Sequence, residues 1–302
     1  MDGIGVNTAR TGGVRSPEGI GLLSFLGFTF IALAGYGIFG LRPWNLPMHI
    51  DAVVSFWEIS NQFFAQLHII LGTVVLGILL VRYAGFRWFP AFVLVYVFSF
   101  LSEYFGTGYG IPFGHYSYTE LLGWKIDGRV PWVIPLSWFL MAVPSYALAR
   151  VTFPGRGGRW PRILFAAVLL TLWDLALDPA MSYQAPFTGP LYWVWADTTA
   201  PYYGMPWVNL AGWVGTGIVL MICLEFTGAD DWTDSLSLPW LTAYYAITVL
   251  MPLGMIILEG LWVAVITTIV AYILAYGLHV WVARRRSNPA LEPGDRPVQE
   301  VA

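Results

Sequence analysis

Cysteine, histidine and charge are all scarce in this chain. Its single cysteine, Cys223, lies inside an apolar run, which rules out an intrachain disulfide, a cysteine-based zinc site and an iron–sulfur cluster. It reads as a small packing residue. The four histidines, His49, His68, His115 and His279, are scattered, with no H-x-x-H or H-x-x-x-H pair among them. The clustered histidines that membrane di-iron enzymes need are missing, so no metal site is expected. Charged residues make up 11% of the 302 residues against 57% hydrophobic, which excludes an ordinary soluble domain. Neither a phosphate-binding GxxxxGK loop nor a strand–GxGxxG–helix unit is present. A reaction without cofactor is expected, and nothing points to nucleic acid. No repeat of 20–50 residues and no second, soluble domain is visible.

What the chain does have is long apolar runs. A stretch of roughly 17–25 apolar residues crosses a bilayer core of about 30 Å as a helix. Eight are readable, at 19–41, 60–82, 88–103, 131–150, 161–178, 207–226, 239–258 and 261–283. The third is short, and the last two depend on cutting one long run near Glu259-Gly260. The expectation is an all-α, polytopic membrane bundle of 19–284, with polar tails at 1–18 and 285–302 that read as disordered. Eight crossings put both tails on one side. Twelve of the 15 basic residues, Arg82, Arg87 and the Arg284–Arg286 cluster among them, also fall there, leaving only Arg42, Lys125 and Arg129 across the membrane. The positive-inside rule then places both tails in the cytoplasm, with the plasma membrane as the expected location.

That topology gathers the informative residues at one end. Glu103 closes span three, Asp174 and Asp178 close span five, and two decorated loops, 104–130 and 179–206, emerge beside them. An ionisable group within an apolar span costs about 2.5–3.5 kcal/mol, so these carboxylates are functional candidates. Asp174 and Asp178 lie four apart, on one helical face, with Trp173 adjacent. Paired carboxylates out of water repel, which suits one of them to act as a general acid. His115, in the Gly-rich loop after Glu103, could relay a proton or orient an acid. His68 reads as a packed interhelical donor. Glu58, Glu225 and Glu259, near span ends, read as solvated charges. The loops are dense in aromatics, from Tyr104 to Trp132 and from Tyr183 to Trp207. An interfacial belt accounts for many of them, while inward-facing rings would suit a polyene and stabilise a carbocation.

Four blocks in order, EYFGTGYGIPFGHYSY (103–118), VPWVIPLSW (130–138), WDLALDP (173–179) and WVW with YYGMPWVNLAGW (193–213), resemble the membrane carotenoid 1,2-hydratases of the bisanhydrobacterioruberin hydratase and CruF type. The resemblance spans about residues 19–284. It implies addition of water to the terminal C1–C2 double bond of an acyclic (ψ) carotenoid end group, giving a tertiary alcohol without a redox cofactor. Partners would be a lipophilic carotenoid, water and membrane lipid, with other carotenoid-processing enzymes as expected neighbours. Glu103 or Asp174 is the expected proton donor, Asp178 the water orienter and His115 a support. Tyr109, Tyr116, Trp138, Trp173 and Asn209 are expected around the substrate. Two rivals remain at this level: a lycopene-type cyclase sharing the protonation step, and a carotenoid-binding or transport protein.

Overall fold

The computed structural model describes residues 13–185 and 189–287. Most of both expected tails, 1–12 and 288–302, lies outside the described residues. Eight helices are long and apolar enough to cross a membrane: α1 (Pro17–Gly35, continued by a π-helical turn, Tyr36–Gly40), α2 (Asp51–Ala84), α3 (Phe89–Tyr109), α4 (Ile134–Thr152), α5 (Arg159–Ser182), α6 (Trp207–Phe226), α8 (Leu238–Leu258) and α9 (Trp262–Ser287). A one-turn helix, α7 (Ala229–Trp232), sits between α6 and α8. The protein is thus an all-α, multi-pass membrane bundle.

Local chemistry sets the helix ends. Ser16 caps α1, its hydroxyl accepting from the Gly19 N–H at 3.1 Å, with Pro17 in the first turn. Gly110 closes α3 in the left-handed region (φ +72°), its N–H returning to the Gly106 carbonyl at 2.9 Å. The expected cut between the last two spans falls at Glu259–Leu261, where Gly260 adopts φ +74°.

Three boundaries differ from expectation. Helix α2 starts at Asp51, well before residue 60, because the polar residues of 51–61 still follow good helix-forming geometry. Helix α3 runs six residues past Glu103 and is not short: Ala91, Val95, Ser99, Glu103 and Gly106 form one buried stripe that continues into the glycine-rich segment. Residues 13–18 are ordered, with Glu18 fully buried between Tyr83 (2.6 Å) and Arg82 (3.3 Å).

Helices α4 and α5 occupy the centre. In each, 78% of the most apolar window is buried, against 17% for α9, which leaves α9 largely to lipid. Helix α6 approaches α5 where Gly217 meets Ala167, a small-residue contact that brings the backbones close. At the end of the bundle where α1 starts and α9 finishes, the buried Arg162 guanidinium of α5 donates to Glu225 of α6 at 2.7 Å. Glu225 is therefore a buried ion-pair partner rather than a solvated charge.

The opposite, loop end carries the only strands among the described residues. β1 (Tyr116–Tyr118) pairs antiparallel with β4 (Trp193–Trp195), joining the two long loops. β2 (Lys125–Ile126) pairs with β3 (Val130–Pro131) across an Asp127-Gly128 turn in which both residues have positive φ.

Candidate active site

The α3 stripe directs Glu103 inward, toward α4 and the β1–β4 ladder. Its carboxylate accepts three hydrogen bonds: from Trp138 Nε1 at 2.9 Å, from the Tyr118 hydroxyl at 2.8 Å and from the Tyr116 hydroxyl. Gly106, one turn on, leaves room for this arrangement, since a Cβ there would lie 2.8 Å from Phe113 and 3.1 Å from the Tyr116 oxygen. Burial, and next the Glu103 charge, push the Tyr116 and Tyr118 hydroxyls well above the usual phenol range, so both stay donors.

Across from Glu103, α5 presents Asp174 and Asp178 one turn apart, both buried. Asn209 of α6 bridges them, its Nδ2 donating to Asp174 Oδ2 at 2.7 Å and reaching Asp178 Oδ2 at 3.4 Å. Asp178 Oδ1 accepts from Trp195 Nε1 at 2.9 Å and from Ser182 at 2.6 Å. Asp174 Oδ1 is buried and has no partner. A buried carboxyl oxygen left bare is costly unless something approaches it.

All three carboxylates line one cavity of about 40 Å³, walled by Trp138, Trp195 and Trp213. The Trp138 and Trp213 rings stack at 4.1 Å. Next to it lies a second, apolar pocket of about 200 Å³ between α1, α2 and α8. Ile134, Ser137, Leu177 and Trp193 line both spaces, so these four side chains form the boundary, or throat, between the two. The lining of the larger pocket includes Phe39 of the π-helical turn and Phe56 of α2, 39% and 53% exposed. At its rim the Tyr36 hydroxyl donates to Glu259. Glu259 is half-buried there, met by Tyr36 and by the Gly189 backbone N–H, and is not the solvated charge its position suggested.

The structure brings together Glu103, Asp174, Asp178, Tyr116, Trp138 and Asn209. Trp173 lines the apolar pocket instead of the acid cavity. His115 and Tyr109 are placed elsewhere. The His115 side chain is exposed and lies over Gly110, so it cannot orient any of the three acids. Tyr109 is 63% exposed and walls neither space. His68 packs as expected, bonded to Thr29 at 3.2 Å and set 4.8 Å from the Phe25 ring.

Contributors not singled out from sequence include Tyr118, Ser182, Trp193, Trp195 and Trp213, with Ile134, Ser137 and Leu177 beside them. A signal for Tyr118, Trp193 and Trp195 was present. Tyr-Ser-Tyr and Trp-Val-Trp both alternate aromatic and non-aromatic, and antiparallel pairing of Tyr116 with Trp195 and Tyr118 with Trp193 puts four rings on one face.

Residues 64–275 match the carotenoid biosynthesis protein family. Over 137 residues the chain is 30% identical to the bisanhydrobacterioruberin hydratase of Haloarcula japonica, a stretch covering 45% of this chain and 44% of that protein. The match thus spans less than half of that relative's length. No solved structure matches the chain.

Proposed function

This chain belongs to the carotenoid biosynthesis protein family, and from that premise we propose that it adds water across the terminal C1–C2 double bond of an acyclic carotenoid end group, without a cofactor. The observation that carries the reading is the adjacency of the three-carboxylate cavity to an apolar pocket. One supplies proton chemistry and the other holds a polyene end.

The roles follow from the hydrogen bonds. Glu103 has its oxygens met by three donors, the pattern of an acceptor-only, ionised carboxylate. It is the fixed negative charge that faces a developing cation. Asp174, with one bare oxygen, is matched to the acid form, whose hydroxyl is free to donate to C2. Protonation there leaves the cation on tertiary C1. Asp178 and Asn209 hold the water, and Asp178 receives its proton as the C1–O bond forms. A cavity of about 40 Å³ holds at least one water. One proton enters the product carbon from Asp174 and one leaves the water to Asp178; its return from Asp178 to Asp174, one turn away on the same helix and bonded to the same Asn209, restores the starting state, so no external acid or reductant is consumed. We place both tails in the cytoplasm and the site at the outer-leaflet end of the plasma membrane, on the distribution of arginines.

Expression in a host that makes lycopene tests this directly. The pigment should gain the mass of one water per hydrated end. Asp174→Asn should insert normally and leave the pigment mass unchanged; if the alcohol still forms, Asp174 is not the donor.

A further inference from the structure

A protonated ψ end has two fates. Water can attack C1, giving the alcohol, or the C5–C6 double bond can supply its electron pair to C1, closing a six-membered ring and moving the cation to C5, from where a proton is lost. The second path leaves an isomer of the substrate. Both begin with the same acid, so the acid does not choose between them.

Space does. An engineered cavity of about 150 Å³ is what accommodates a six-carbon ring such as benzene. The acid cavity holds about 40 Å³. Water fills most of that space, so only the C1–C2 tip of an extended end, reaching in from the adjoining pocket, meets the acids, and an end group folded back so that C6 reaches C1 does not fit. The adjoining pocket, at about 200 Å³, is large enough for the folded form but lies on the far side of the throat from Asp178 and Asn209. Its lining includes none of the three carboxylates.

We infer that Ile134, Ser137, Leu177 and Trp193 determine the product, by admitting the ψ end to the acids only in an extended form. The inference rests on the hydratase reading above. Two of the four are fixed to the acids themselves. Leu177 lies between Asp174 and Asp178 on α5. Trp193 is paired in the ladder with Tyr118, the rings 6.0 Å apart, and Tyr118 bonds to Glu103. The throat therefore keeps its width relative to the proton donor.

Leu177→Ala and Trp193→Ala each widen it, one on a central helix and one on the strand ladder, so a local collapse in one leaves the other to decide. Membranes carrying each protein are given lycopene in D₂O, and the pigment is analysed by mass and NMR. Deuterium at C2 reports protonation, whatever follows it. In the wild type it should accompany alcohol with at most a trace of ring-closed isomer. In the widened proteins the ratio of ring-closed isomer to alcohol should rise at least about tenfold, a change of about 1.4 kcal/mol in relative barriers. Widened proteins that place deuterium at C2 and still yield only alcohol overturn the throat's role. A wild type that neither deuterates C2 nor adds water overturns the hydratase reading itself.

Discussion

Glu103 receives donors from Trp138 on α4 and from Tyr116 and Tyr118 on β1, so one side chain ties a helix stripe to a strand ladder. Glu103→Gln has one acceptor oxygen for those three donors and turns an amide N–H₂ toward them. At least one buried donor is stranded, at about 1–3 kcal/mol. The melting temperature in detergent should fall, and hydration should drop by about 10²-fold as the fixed charge disappears. Tyr118→Phe, which leaves two donors in place, should lose much less of both. Glu259 behaves differently. Burial pushes its carboxyl up to about 7 from an ordinary 4.5, partly offset by the Tyr36 hydroxyl and the Gly189 N–H. Its folded value lies above its unfolded one, so the folded chain binds more proton between the two. That contribution to stability is complete below 4.5 and is lost as pH rises through about 7. Thermal melts of the purified protein between about pH 5 and pH 8 should show the slope, and Glu259→Gln, always neutral, should flatten it. The three buried acids were legible in sequence because each interrupts an apolar run. His115 misled because it sits in a turn-rich loop, where no periodicity fixes the direction of a side chain.

At the level of elements, the helical period decides which neighbours of an acid belong to the site. Gly106 follows Glu103 by three positions and shares its face. Tyr109 follows by six, which turns it well away and into the exposed set. The same logic marks Gly212 of α6, where a Cβ would lie 2.7 Å from Phe113 and 2.8 Å from the Pro112 carbonyl. Gly212→Ala should push α6 off the loop that carries Tyr116, costing about 1–3 kcal/mol. Both the melting temperature and the hydrated fraction of pigment should register it. At the other end of α5, Arg162→Ala leaves the buried Glu225 carboxylate only the longer contact to the exposed Arg159, at 3.5 Å, and should cost up to about 3–5 kcal/mol. Arg162→Met combined with Glu225→Gln should recover most of that loss in the same melt. Both ladder strands were hidden in sequence by their brevity, three residues each, even though their aromatic alternation was there to read. The overrun of α3 was hidden by its glycines, which suggest a loop until the buried stripe through Gly106 is considered.

For the whole molecule, the eight crossings were readable because the thickness of a bilayer sets a length that composition alone reveals. The way the helices pack was not, since α5 and α9, with mean hydropathies of 1.7 and 2.0, are both strongly apolar yet one is central and the other peripheral. Sidedness has a direct check. Cys223 is buried, so single cysteines placed at Gly157 and Thr198 can be labelled in intact cells against a low background. Thr198 should react with an impermeant maleimide and Gly157 should not. The pocket between α1 and α2 carries a kinetic consequence. On the hydratase reading, its volume of about 200 Å³ would hold only one tip of a C40 chain, leaving most of the substrate dissolved among acyl tails during turnover. The relevant concentration is then pigment per phospholipid. Diluting vesicles with buffer should leave the rate untouched, while diluting them with fresh lipid should slow it in proportion.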